Sequence, residues 1–387
     1  MMDLWATVPY YTAYLSKALL AQGVDLTVGS ITYYLDPACY SSRGIKVDPG
    51  LLDIVGKFPL PRLPRRILKL MEALLNLAAL SVRFLISPPD VIHVQYLPML
   101  KWRLPLDFWF LELCRKRGTK IVLTVHDLLP HDTADTYKHI FGKLYHSVDE
   151  VICHSDHIKA RLEEEFSVAA QRIAVIPHGP FFYDLSARND EAVLQNLGLD
   201  PNQLFVLWQG IIFPYKGVDL LLRAWQKVEA ANTAATLVVA GTGAPELLDQ
   251  IQEQIIHLGL KRVILHFRFI SSEELVALYR AAAIVVYPYR AITTSGALAT
   301  GLALGKTIVA SDLPVFREML TNGENALLVD PEDAEQLGGA LSELAQNTQL
   351  REKLARSIGQ MNFGDSSWRT IAENTIEVYT ASLNSIG

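Results

Sequence analysis

Residues 283–312 read AIVVYPYRAITTSGALATGLALGKTIVASD. An unbroken apolar run, AIVVYP, gives way to small and hydroxylated residues. A helical pattern broken by Gly296 and Gly301 follows, and then a second apolar run, TIVASD. Runs without alternation suit strands buried on both faces, and the helix between them is a crossover. The stretch therefore predicts a strand–loop–helix–strand unit of a parallel sheet.

The same grammar extends in both directions. Upstream in the second half lie LFVLWQG (204–210), TLVVAGTG (236–243) and VILHFRF (263–269), and downstream lies ALLVDP (326–331). The first half carries VDLTVGS (24–30), VIHVQYL (91–97), KIVLTVHD (120–127), EVICHS (150–155) and IAVIPHG (173–179). Helical segments such as TAYLSKALLAQG (12–23) and VDLLLRAWQKVEAAN (218–232) separate them. The fold class is α/β, with two parallel-sheet domains facing a cleft. The polar stretch 186–203 marks the change-over. We expect an N-terminal domain over 1–185, a second domain over 186–365, and a C-terminal helix over 366–387 that returns to the first. A doubly wound domain should open on a strand, and only LWATV (4–8) is available; it is either that strand or the sign of a late start.

The chain has 387 residues and a net charge of −6 without long runs of either sign, which argues against nucleic acid as the main partner. Cys39, Cys114 and Cys153 lie far apart, with no C-x-x-C, as in a reduced cytoplasmic setting. We expect no signal peptide and no membrane span. Segment 60–90 is apolar with Arg62, Arg65, Arg66 and Lys69 at its front. We expect a long core helix there. The alternative is a helix lying on the inner face of the membrane.

Ligands of open parallel sheets bind beyond the carboxyl ends of the strands. After LFVLWQG, Gly210 ends the strand and Pro214-Tyr215-Lys216-Gly217 opens a helix. Lys216 there can reach an anion, or can be a surface lysine beside a turn. Thr293, Thr294, Ser295, Gly296 and Ala297 begin the next helix, whose free amides favour a phosphate, although a hydroxyl there can equally be a plain N-cap. Glycines 296 and 301 make sense if something approaches the backbone closely.

With these parts in order, GIIFPYKGVDLLLRAW, LVVAGTG, SSEELVALYRAAAIVVYPYR, SGALATGLALGKTIVASD and NALLVDPED resemble the donor domain of family 4 glycosyltransferases. DVIHVQ, IVLTVHDLLP, VDEVICHS and VIPHG resemble their first domain. The resemblance implies a retaining enzyme of the GT-B fold, with two Rossmann-like domains. Its donor is a nucleotide sugar, most simply UDP-glucose or a related UDP-sugar, and its acceptor a glycan or lipid-linked molecule, as in polysaccharide biosynthesis. Alternatives are an epimerase of the same fold and a sugar-nucleotide-binding protein with impaired catalysis.

By resemblance, His126 and Lys216 are the catalytic candidates. Gly210, Lys216, Arg268, Phe269, Arg290, Thr293, Thr294, Ser295, Gly296, Ala297 and Thr300 would hold the donor. The base would be read by backbone at Phe267, Arg268 and Phe269. The family's Arg after the strand-ending glycine is here Ile211, and its two donor-helix acids are Ile292 and Thr300. Thr300 could offer a hydroxyl to the ribose, and Arg290 part of the lost charge. Thr7 to Tyr11 stands where relatives have a glycine-rich loop, so only a weak diphosphate contact is expected there. No metal or other cofactor is expected, because no Asp-x-Asp follows a strand. His178-Gly179 reads as a structural turn.

Overall fold

The computed structural model describes residues 1–58, 60–102, 104–130, 134–185, 190–231, 234–361 and 363–384. The chain forms two compact units, one of residues 1–178 with 368–387 and one of residues 179–367. The change of unit falls at His178–Gly179. The first four residues of the polar stretch 186–203 lie outside the described residues.

In the first unit, β1 (Met2–Asp3), β2 (Gly29–Ser30), β3 (Val91–Tyr96), β4 (Lys120–Thr124), β5 (Glu150–Cys153) and β6 (Ile173–Val175) form one sheet in the order β2-β1-β3-β4-β5-β6. Every pairing is parallel. In the second unit, β7 (Phe205–Gln209), β8 (Thr236–Gly241), β9 (Val263–Phe267), β10 (Ile284–Tyr287), β11 (Thr307–Ser311) and β12 (Ala326–Val329) follow the order β12-β11-β10-β7-β8-β9, again all parallel. β8, β10 and β11 are buried at every residue. That burial explains why their sequences run apolar without alternation.

The first strand is Met2–Asp3 and not LWATV. Asp3 explains the difference. Its buried carboxylate accepts the Thr7 and Val8 amides at 2.9 Å each, and its carbonyl accepts the Ala6 amide at 3.0 Å. The chain is thereby bent out of the sheet at Ala6, with φ 47, and helix α1 (Pro9–Ala21) starts on Pro9.

Segment 60–90 forms helix α2 (Arg62–Ile86), followed by β3 as expected. It is only half a core helix. Leu77 and Leu80 enter the core of the first unit, while Leu63, Ile67, Met71 and Leu75 are exposed. The C-terminal helix Asp365–Asn384 crosses into the first unit: Trp368 stacks on Tyr14 with ring centroids 5.5 Å apart, and the Tyr379 hydroxyl lies 2.6 Å from His93 Nδ1. All three cysteines are buried and free. No helix among the described residues is long and apolar enough to cross a membrane.

Candidate functional site

In the second unit the loops after β7 and β8 are drawn together by glycine. Gly210 and Gly241 adopt φ +144 and +152, and a Cβ on Gly241 would lie 1.8 Å from the Gly210 carbonyl oxygen. The turn Pro214–Lys216 then docks on the segment after β10. Gly217 has φ +67, and its Cβ would meet the Pro288 carbonyl oxygen at 1.9 Å. The Arg290 amide donates to Tyr215 O at 2.7 Å. The Lys216 ammonium lies 5.8 Å from the Tyr289 ring centroid, and 3.0 Å from where a Gly210 Cβ would stand. Gly210 therefore leaves room for the lysine to cross the strand end.

The helix Gly296–Ala303 begins beside this lysine. Ser295 is its N-cap, with Oγ accepting the Leu298 amide at 3.1 Å, and the Tyr289 hydroxyl lies near its side chain. Tyr289 thus touches both the cation and the helix entrance. The first turn is held from behind. Tyr287 and Tyr279 both donate to Ala297 O, at 2.7 and 3.2 Å, and Gln209 donates to the Tyr279 hydroxyl at 3.0 Å. The close approach expected at Gly301 is made by the Tyr287 hydroxyl, which would lie 2.6 Å from a Cβ there. Thr293 is buried, and Thr294, Gly296 and Ala297 are half-buried. Such a braced helix start suits an anion, because its amides and dipole are fixed before the ligand arrives.

Three expected residues are engaged otherwise. Arg290 makes a bidentate pair with Asp219 at 2.8 Å on both arms, donates from Nε to Glu332 at 2.7 Å, and donates to Pro214 O at 2.6 Å. It is a clamp across the Pro214–Lys216 turn. Hydrogen bonds to Asp219 raise its pKa still further. Thr300 is buried; its hydroxyl donates to Gly296 O at 2.8 Å and accepts the Phe181 amide at 3.0 Å. That pairing ties the start of this unit to the helix and engages the hydroxyl proposed for the ribose. Arg268 pairs with Glu274 at 2.6 and 2.9 Å and donates to Phe269 O at 3.0 Å. The Arg268 hydrogen bonds hold the Glu274 carboxyl at about 2. Phe269 is half-buried and its carbonyl already accepts.

In the first unit, His126 follows β4 and donates from Nε2 to Gln95 Oε1 at 2.8 Å, since a side-chain amide oxygen can only accept. Its Nδ1 is then the acceptor. The Tyr11 ring meets it edge-on at 4.7 Å. Burial first, then His154, His178 and His93, hold its pKa well below the usual imidazole value. His154, after β5, donates from Nδ1 to Ile176 O at 2.9 Å and is lowered by burial to about 4. His178, after β6, packs 5.0 Å from Tyr11 and 5.1 Å from His154. Adjacent strands thus each send one polar residue to the same end of the sheet. From the sequence only His126 stands out as a candidate, and His178-Gly179 reads as a structural turn, the point where the chain changes unit. The signal for the row was the strand-end position of Gln95, His126, His154 and His178, which parallel pairing brings side by side. Thr7, Gln95, Tyr96, His126, Asp127 and Tyr145 are among the residues lining a cleft of about 120 Å³ there. Asp3 already fills the amides of Thr7 and Val8, so the start of α1 is closed by the protein's own carboxylate. Among the described residues no three His, Cys, Asp or Glu side chains converge as metal ligands would.

With this geometry in place, comparison with known proteins is direct. Residues 8–179 match the model of Glycosyltransferase Family 4, and residues 189–360 that of Glycosyl transferases group 1. A D-inositol 3-phosphate glycosyltransferase of Nocardioides is 25% identical over 95% of this chain and 84% of its own. An uncharacterized glycosyltransferase of Methanocaldococcus jannaschii is 23% identical over 62% of this chain. The matched part is 61% of that protein and 63% of the Rhodococcus erythropolis D-inositol 3-phosphate glycosyltransferase, less than two thirds of either. Among solved structures, HepE of Anabaena in complex with UDP and glucose superposes with a TM-score of 0.72 at 17% identity, covering 95% of both chains. A glycosyltransferase of Rickettsia africae gives 0.70 at 18% identity, covering 98% of this chain and 95% of its own. Two all-parallel six-stranded sheets and both family matches agree: the chain belongs to the GT-B glycosyltransferases, with a family 4 N-terminal half and a group 1 C-terminal half.

Proposed function

We propose that this protein transfers a hexose from a UDP-sugar, UDP-glucose or a close relative, to a glycan or lipid-linked acceptor, with retention at the anomeric carbon. The observation that carries the reading is the meeting of Lys216 and the Ser295-capped helix start on Tyr289. The structures of HepE with UDP and with UDP-glucose support the choice of nucleotide. In the proposed reaction the bond from the anomeric carbon to the diphosphate breaks as the acceptor oxygen attacks the same face. The acceptor's proton passes to the departing diphosphate. Lys216 and the helix amides carry the charge that grows there, electrostatic stabilisation that needs no carboxylate. A covalent route would need a carboxylate nucleophile, and Ile292 and Thr300 stand where the family has its acids.

The experiment is incubation of the chain with UDP-, GDP-, dTDP- and ADP-sugars, with mass spectrometry of products and NMR of the anomeric configuration. A UDP-sugar is expected to be turned over with its configuration kept. An inverted product, or a glycosyl-enzyme trapped by a fluorinated donor, contradicts the mechanism. Binding without any hydrolysis or transfer favours an impaired donor-binding protein, the reading that the engaged Thr300 hydroxyl supports.

Lys216→Ala is expected to raise the UDP dissociation constant roughly ten- to a hundredfold, the equivalent of one charge-assisted contact. The melting temperature without ligand should hardly change. Calorimetry showing equal UDP affinity removes Lys216 from the diphosphate site.

A further inference from the structure

Helix α2 packs Leu77 and Leu80 into the core and turns Glu72 and Asn76 inward beside them, while a row of apolar side chains faces outward. On the inner side Glu72 accepts the Ile54 and Val55 amides at 2.5 and 3.2 Å. Asn76 accepts the Leu52 amide at 2.7 Å and donates to Leu52 O at 2.9 Å. These two residues hold the 52–55 segment against the helix. On the outer side Leu63, Ile67, Met71, Leu75, Val82 and Ile86 are each more than 50% exposed. Their spacing of four, four, four, seven and four places them on one face. The helix has 25 residues. At the usual rise, the stripe from Leu63 to Ile86 is about 35 Å long. An uninterrupted apolar face of that length on a folded chain marks a surface that meets something apolar.

The charges around it say what. Residues 56–71 contain five basic residues, Lys57, Arg62, Arg65, Arg66 and Lys69, and no acid. Between Asp53 and Asp90 the one acid is the inward-facing Glu72. Arg65 is held at the helix flank over the Tyr34 ring, 4.4 Å from its centroid, whereas Lys69 turns to the protein and donates to Trp5 O at 2.6 Å, which leaves Arg65 and the exposed Arg66 as the outer cations. An open groove of about 480 Å³, whose lining includes Trp5, Arg66, Lys69 and Trp102, adjoins the same end of the helix. A face that is apolar along its centre and cationic along one edge fits a partner with apolar depth and anionic rim. A second copy of the chain would bring two such cationic edges together.

We propose that α2 lies in the surface of an anionic bilayer, with its outer stripe in the acyl boundary and its basic edge among the lipid phosphates. This takes the membrane-surface alternative over the core helix expected from the sequence. It does not depend on the transfer reaction, and it would place the first unit where a lipid-linked acceptor is found.

The test is flotation of the whole chain with vesicles of phosphatidylcholine, with and without phosphatidylglycerol. Binding is expected only with phosphatidylglycerol, and should fall as salt rises. Ile67→Glu with Leu75→Glu should abolish it. Arg65→Gln with Arg66→Gln should lower the partition coefficient roughly tenfold or more, as two interfacial cations are worth. All four positions are at the surface or flank, and circular dichroism should be that of the parent. No flotation, equal flotation without phosphatidylglycerol, or binding indifferent to both pairs of substitutions overturns the proposal. So does a dimer in sedimentation equilibrium that the two glutamates dissolve while vesicles go unbound.

Discussion

Gly217→Ala is expected to destabilise the second unit by about 3 kcal/mol or more and to weaken UDP binding with it. Two costs add. The residue sits at φ +67, where a Cβ costs about 1–2 kcal/mol. That Cβ would also stand 1.9 Å from the Pro288 carbonyl oxygen, a backbone atom that cannot rotate aside. Relief requires the Pro214–Lys216 turn to lift off the segment after β10, which carries Lys216 away from Tyr289. Gly259 provides the control. It has φ +65 and nothing within 4 Å of its Cβ position. Gly259→Ala should therefore cost about 1 kcal/mol and leave UDP affinity unchanged. Urea unfolding and UDP calorimetry on both variants separate strain from collision. Equal destabilisation by the two substitutions would mean that the contact with Pro288 does not hold the loop.

That contact was only half legible in the sequence. The P-Y-K-G order announced a turn after a strand, and the continuous apolar runs announced parallel strands, because burial on both faces removes the alternation that a one-sided sheet keeps. Eleven runs quoted from the sequence became β2 through β12. What the sequence could not show is which long-range partner each polar side chain meets. Arg290 lies next to the helix entrance in the chain, yet Asp219 and Glu332, 71 and 42 residues away, take its guanidinium. The resemblance puts Thr300 at a donor position, yet the Phe181 amide, 119 residues away, donates to its hydroxyl. The apolar composition of segment 60–90 announced a helix but not which side of it faced the protein. Glu72 and Asn76 decide that, by satisfying the backbone of the 52–55 segment. The histidine row needed strand order as well as strand position, and order is a property of the sheet.

His126→Ala is expected to lower turnover by about a hundredfold, the equivalent of roughly 3 kcal/mol for a buried hydrogen bond to the donor sugar lost in the transition state, while UDP affinity stays nearly unchanged. The separation follows from placement: Lys216 and the Thr293–Ala297 entrance belong to the second unit and His126 to the first. The hydrogen bond to Gln95 fixes the Nε2–H tautomer, so Nδ1 can accept a hydrogen bond from a sugar hydroxyl. Burial keeps the ring neutral, because its folded pKa lies well below the usual 6.5. The sign for pH follows. The neutral form is present above the folded pKa, so any loss of rate due to His126 appears only as pH falls through that lowered value. Gln95→Glu would place a carboxylate at Nε2, favour the imidazolium and move that acidic limb to higher pH. Gln95→Leu removes the tautomer lock without adding charge, and should lower turnover with a smaller shift of the limb. A pH–rate profile of the three proteins reads this directly. If the limb stays put in Gln95→Glu, or if His126→Ala loses UDP affinity and melting temperature in step with turnover, the imidazole is a packing element of the Tyr11 cluster and does not touch the sugar.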